Sequence, residues 1–260
     1  MLIVNPDLSN PYNSCNFIDL STQQMLQAIP SLITTKEYFL FYFIKDDIYA
    51  NLLSLYNTDT APDFIGFPTI RKNTRHAIEA FFDLYNLCTD PDYITVLKYC
   101  AGYNRPPLTE TDKTLLNEKY QITNPTKNGF LNIAEKYNLM HDGAKHFQHL
   151  LKIAQTSNAY VHPNVFVSII QNDIHAKTVT LQQYLNANFQ LLYEAYQLLF
   201  NKFCSQSQHI QPVHFNCIHC TYTDHNKCHQ CTYQSILNTI KNNLFIEVYP
   251  QTPNFPFAHY

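Results

Sequence analysis

The sequence has no Trp, only four Gly and only three Met in 260 residues. Four Gly leave little material for the glycine-rich turns that cradle phosphates in dinucleotide-binding and P-loop folds, so those classes are excluded. Charged residues make up 14% of the chain, well below the usual quarter. Arg occurs only as Arg71, Arg75 and Arg105, and the net charge is −3. That balance excludes a broadly basic nucleic-acid-binding surface and leaves only a local patch open. Long hydrophobic runs are missing as well. The most apolar stretch, Tyr38 to Ile44, is followed at once by Lys45-Asp46-Asp47. It is far shorter than the roughly 20 residues a membrane-spanning helix needs. The first residues, Met1 to Asp7, carry no basic stretch and no apolar run of the secretory kind. A cytoplasmic protein that does not enter a membrane is expected.

What is present is apolar and aromatic. Hydrophobic residues reach 45%, with 19 Tyr and 18 Phe. That is enough for a sizeable core and argues against low-complexity disorder. No repeat runs along the chain, which excludes a collagen or coiled-coil rod.

Helical periodicity dominates, and no strand pattern stands out. Residues 1–20 read as an N-terminal loop segment, with Pro6 and Pro11 among scattered Asn. Ser21 is placed to cap a short helix over 22–29 that Pro30 ends. Thr34 and Thr35 precede a long apolar helix over 36–57. Pro68 opens another over 69–88, since Pro is tolerated in a first turn. Asp90-Pro91 starts a shorter one reaching Cys100. Further helices are expected over 109–120, 129–139, 143–161 and 181–203. The pair His162-Pro163 stops the third of these, because the residue before Pro is pushed out of the helical region. Residues 21–205 thus form an all-α helical bundle. Residues 206–260 are expected to form an appendage: a polar linker, a Cys-rich segment, a short helix and a tail with Pro250, Pro253 and Pro256 among aromatics.

The most specific local signal is Cys217-x2-Cys220-x7-Cys228-x2-Cys231. Zinc takes four soft ligands in a tetrahedron, and each Cys-x-x-Cys supplies two thiolates from one tight turn. In a cytosolic chain the pattern reads as metal rather than disulfide. Four protein ligands close the coordination sphere, so the zinc is expected to be structural. His214, His219, His225 and His229 crowd the segment, and one of them in place of a Cys remains an alternative.

Two further groups carry chemistry. Arg71, Arg75, Glu79 and Asp83 recur at four-residue steps on the third helix. One reading is a surface salt-bridge ladder. The other is a partly buried Arg75–Glu79 pair able to hold a phosphate or carboxylate on the planar guanidinium. Asn158 and His162 are four apart at the end of the 143–161 helix. There, His162 is either a C-terminal helix partner or a general acid–base steadied by Asn158. His141, Asp142, His146 and His149 form another cluster with metal-compatible spacing. It lacks the HExxH pattern, so a solvated helix start is the simpler reading.

The steps Arg75-x3-Glu79 and Ser157-x4-His162-Pro163-Asn164 together resemble an uncharacterised family of bacterial helical proteins near the HEPN superfamily. The resemblance covers about residues 66–170 and does not extend to the Cys-rich tail. It implies an all-helical bundle, often dimeric. It also implies metal-independent ribonuclease chemistry in a toxin or anti-phage setting, with RNA as partner. Asn158 and His162 match the last two elements of the HEPN motif. Ser157 stands where that motif has an Arg, and a Ser cannot supply the charge that stabilises a cleaved phosphate. Arg75, from a neighbouring helix, is the candidate to supply it. The expected site is therefore His162, Arg75, Glu79 and Asn158. The alternative is a non-catalytic module that binds a ligand or a partner protein and carries a structural zinc.

Overall fold

The computed structural model describes residues 15, 18–19, 21–23, 25–26, 29–56, 67–101, 107–123, 125, 129–158 and 181–204. Among these residues there are helices, 3₁₀ turns and connecting turns, and no strand. The all-α expectation therefore holds for the described part of the chain.

Three long helices make the frame: α1 (Lys36–Tyr56), α2 (Phe67–Thr89) and α7 (Leu181–Cys204). Each is long because apolar side chains recur at helical spacing. On α1 these are Phe41, Ile44, Ile48 and Leu52. On α2 they are Ile70, Ala77, Ile78, Phe81 and Phe82, and on α7 Tyr184, Leu191, Leu192, Ala195 and Leu199; all are buried. α2 lies at the centre and packs against α1, α7 and two shorter helices, α5 (Ile133–Asn138) and α6 (Gln148–Thr156). Phe147, just before α6, meets the Phe81 ring edge-on, with centroids 5.1 Å apart.

Local signals set the helix ends. Pro68 sits in the first turn of α2. Thr109 and Asp112 form a reciprocal capping box at α4 (Glu110–Glu118), and Asn132 and Glu135 form another at α5. Asp90 caps a 3₁₀ turn, Pro91–Tyr93, that leads into α3 (Ile94–Cys100).

The α5 helix begins at Ile133 rather than at 129, because Asn132 caps it, and two other boundaries differ more from expectation. Cys15, Ile18 and Asp19 are already helical, so Ser21 lies inside helical backbone rather than capping it. Cys15, Ile18, Thr22 and Met25 are buried at helical spacing, and the Thr22 hydroxyl meets Tyr196 Oη at 2.9 Å. The helix expected over 143–161 is instead a 3₁₀ segment, Asp142–Phe147, followed by α6, which Ser157 terminates. The Ser157 hydroxyl, fully buried, donates to Ile153 O at 3.0 Å and meets Tyr184 Oη at 2.9 Å. That back-bond is one of the competing arrangements by which Ser and Thr weaken helix interiors.

A satellite core of Leu87, Tyr93, Val96, Tyr99, Leu116 and Tyr120 joins α3 and α4 to the end of α2. Gly129 lies so close to it that a Cβ there would overlap the Tyr99 ring. Gly129→Ala is therefore expected to displace Tyr99 and cost about 1–3 kcal/mol of stability. Urea unfolding of the variant measures this, and an unchanged midpoint would contradict the packing.

Candidate functional site

The polar stripe of α2 does not form a surface salt-bridge ladder, the first of its two readings from the sequence. It divides into a cationic half and an acidic half, because different helices cross α2 at each turn.

The cationic half meets α6, α7 and α1. Arg75 donates through Nη1 to Ala154 O at 3.2 Å and to Asn158 Oδ1. Arg75 is buried, whereas Asn158 is exposed, so their contact links the interior to the surface. Burial pulls the Arg75 pKa below the usual arginine value, and the charge of Glu79 opposes this. Arginine remains protonated throughout the physiological range regardless. Arg71, one turn earlier, is fully buried with its guanidinium carbon 5.7 Å from the centre of the Tyr184 ring.

Behind the two arginines lies a buried hydrogen-bonded layer. Asn51 Nδ2 donates to Thr74 Oγ1 at 3.2 Å and to Asn188 Oδ1 at 3.1 Å. Asn188 Nδ2 donates to Thr74 Oγ1 at 2.8 Å and to Tyr184 O at 2.6 Å. The Tyr184 hydroxyl also meets Thr156 Oγ1 at 3.1 Å. This layer ties α1, α2, α6 and α7 together around the end of α6.

The acidic half meets α5. Glu79 Oε1 lies 3.0 Å from Lys136 Nζ, and Asp83 Oδ2 lies 2.7 Å from it. Tyr93 Oη donates to Asp83 Oδ1 at 2.6 Å, and Asn86 Nδ2 donates to Lys136 O at 3.0 Å. Burial acts to depress the Lys136 ammonium, but the charges of Asp83 and Glu79 and its bonds to both outweigh it, so its pKa is raised. The Tyr93 phenol is also pushed upward, by burial and by the adjacent Asp83. The expected Arg75–Glu79 pair is thus replaced by Lys136–Glu79. The reason is steric and electrostatic. Glu79 faces α5, where a nearly buried ammonium requires countercharge, and Arg75 faces the carbonyl end of α6.

Of the four predicted site residues, Arg75 and Asn158 are brought into contact, and Glu79 is directed to the other half. Asn158 follows the α6 cap Ser157 rather than lying inside that helix. His162 lies outside the described residues, as do Cys217, Cys220, Cys228 and Cys231. The appendage over 206–260 and the segment 1–14 fall outside them too. In the second histidine cluster, His149 uses both ring nitrogens within the protein. Nδ1 lies 2.8 Å from His146 O and Nε2 2.7 Å from Gln190 Oε1, so both ring nitrogens face partners within the protein. No group of three or more metal-ligating side chains occurs among the described residues. None of the described helices is long and apolar enough to cross a membrane.

Sequence reasoning missed Lys136, Tyr184, Asn188, Asn51 and Thr74. Only Asn51 and Asn188 carried a signal, as amides at inward positions of strongly apolar helices. Comparison of the chain with protein-family models, curated proteins and solved structures gave no match.

His76, also on α2, is exposed and bonds Asp47 of α1, with Nδ1 2.5 Å from Oδ2. That bond raises the His76 pKa, against a smaller opposing effect of burial. A raised native pKa means the folded state holds the proton more tightly than the unfolded state. The stabilisation is full below about pH 6.5, the unfolded value, and is lost as pH rises through the native value. Stability measured across that window should fall for the wild type. The fall should be shallower for His76→Gln, and identical slopes would refute the coupling.

Proposed function

We propose that this chain is a HEPN-like helical protein that targets RNA by metal-independent cleavage, in a bacterial toxin or anti-phage setting. The observation that carries the reading is the contact of the Arg75 guanidinium with Asn158. Ser157 leaves the motif without its cation, and Arg75 restores a planar guanidinium next to the following motif residue. Such a group binds a phosphate through two parallel hydrogen bonds. In this reading His162 removes the proton from the ribose 2′-hydroxyl, and Arg75 stabilises the charge that develops on the phosphate. Asn158 orients the guanidinium. Glu79 contributes at a distance, through its opposing charge.

The test incubates the purified protein and its His162→Ala variant with an end-labelled mixed RNA panel, with and without EDTA. Cleavage by the wild type alone, resistant to EDTA and leaving cyclic phosphate ends, supports the reading. EDTA-sensitive cleavage, or cleavage by both proteins, overturns it. Cleavage by neither shifts the chain to a non-catalytic binding module.

The reading includes one structural zinc held by Cys217, Cys220, Cys228 and Cys231. Its support is the paired Cys-x-x-Cys spacing, which supplies four thiolates. Elemental analysis should give one zinc per chain. Replacing the four Cys by Ser should remove it, and metal retained by that variant would refute the assignment.

A further inference from the structure

Three aromatic side chains stand half in water along α1. Phe39 is 59% exposed, Tyr42 44% and Phe43 49%. Tyr38 links the first two, its ring centre 6.2 Å from that of Phe39 and 6.5 Å from that of Tyr42. Phe43 closes one edge, where its ring meets His76 of α2 edge-on with centroids 6.1 Å apart. Lys45 closes another, its Nζ 5.5 Å from the centre of the Tyr42 ring. With half of each ring in water, the three expose about 300 Å² of largely apolar surface. A patch of that size on a folded chain commonly marks an interaction site.

The chain's own sequence holds a segment suited to it. Pro250, Pro253 and Pro256, outside the described residues, recur at three-residue steps. Polyproline II has three residues per turn, so this spacing sets all three rings on one side of such a helix. Proline-rich segments of that kind dock on exposed aromatic rings, because their conformation is set before binding and little entropy is lost. From Tyr249 to Ala258 there is no charged side chain, so docking strips no charge of its water. Other stretches outside the described residues lack the pattern. In 1–14, Pro6 and Pro11 are five apart, and 159–180 has Pro163 alone. The exit of the chain points the same way. Lys202, in the last turn of α7, donates to Glu37 Oε1 at 2.6 Å, so the end of α7 lies beside the first turn of α1. Residues 205–249 lead from there to Pro250. At about 3.3 Å per residue their reach far exceeds the roughly 30 Å length of α1. The tether makes docking intramolecular, so a contact weak for a separate peptide is filled within one chain.

We propose that the aromatic side of α1 is the docking surface for residues 249–256 of the same chain, bound in the polyproline II form with the proline row against the rings of Phe39 and Tyr42. The inference uses no residue of the Arg75 site and none of the four Cys, so it stands or falls apart from the RNA and zinc readings.

The lack of Trp in the chain makes a clean reporter possible. Phe257→Trp, placed next to the proline row in the full chain, carries the only indole. Its emission should be blue-shifted and shielded from acrylamide, compared with a free peptide of residues 245–260 carrying the same change. Phe39→Gln and Tyr42→Gln, each added to the reporter, should shift the docking equilibrium towards release at least about tenfold, as loss of a central aromatic anchor does. Pro253→Gly should release the segment too, by freeing it from its set conformation. Phe39 and Tyr42 are exposed, so circular dichroism should show unchanged helix content in their variants. Emission in the full chain equal to that of the free peptide overturns the proposal. Shielding that survives the Phe39→Gln, Tyr42→Gln double variant also overturns it, since the segment then docks elsewhere, and so does shielding that survives Pro253→Gly. Shielding that grows with protein concentration assigns the contact to another chain and overturns it as well.

Discussion

Lys136→Met is expected to destabilise the protein by about 3–5 kcal/mol, the cost of leaving a buried countercharge unpaired. Lys136 Nζ is the cation that both Asp83 and Glu79 contact, and its side chain and that of Asp83 are each only 10% exposed. Met matches the aliphatic stem in volume, so the loss isolates the charge rather than a cavity. Removing the ammonium leaves two carboxylates one turn apart on α2, one of them deep in the core. Burial favours the neutral form of Asp83 even in the wild type. In the variant only the Tyr93 hydroxyl still opposes that preference, so the deficit should shrink as pH falls and Asp83 takes up a proton. Adding Asp83→Asn to Lys136→Met should recover most of the loss, since Asn keeps an acceptor for the Tyr93 hydroxyl and carries no charge. Urea unfolding of the three proteins at two pH values checks this. Equal stability of Lys136→Met and wild type would show that the triad contributes nothing, as replacing a whole buried ion pair by apolar groups sometimes does.

The long helices were legible because apolar spacing over twenty residues leaves little choice. The expected 36–57, 69–88 and 181–203 lie within two residues of the observed bounds. Caps were legible where a side chain bonds its own helix start, as at Asp90 and Thr109. The stripe on α2 was legible as a row, because a four-residue step fixes one face. Its partners were not legible, because they come from α5 and α6, more than fifty residues away in the chain. Lys136 in particular stands on a six-residue helix among polar neighbours. Nothing local distinguishes it from a solvated lysine. The break at Ser157 was hidden for a similar reason: the hydroxyl that draws the backbone out of helix pairs with Tyr184, on another helix, α7. Periodicity reports which face is buried. It does not report what that face meets.

The same geometry gives the second large prediction. If the chain cleaves RNA as proposed, Arg75→Lys should lower that cleavage about 10²–10³-fold, the usual effect of removing one donor to a charged transition state. Lysine keeps the positive charge and can still reach Ala154 O, so the tie between α2 and the end of α6 survives in part. What it loses is the planar fork, which engages the protein through Nη1 and in the RNA reading presents its remaining donors to a phosphate. The loss should fall mainly on kcat, with a smaller change in KM, if the fork acts on developing charge rather than on bound RNA. A purely structural Arg75 predicts something different. As a tie between helices, its replacement by Lys would lower the unfolding midpoint and leave the activity of the remaining folded protein intact. Arg75→Met extends the comparison by removing the charge while keeping the length. Activity falling further from Lys to Met, with all three proteins equally folded by circular dichroism, would place the guanidinium at the reacting phosphate. Activity that tracks stability alone would assign Arg75 to the fold, and Asn158 with it.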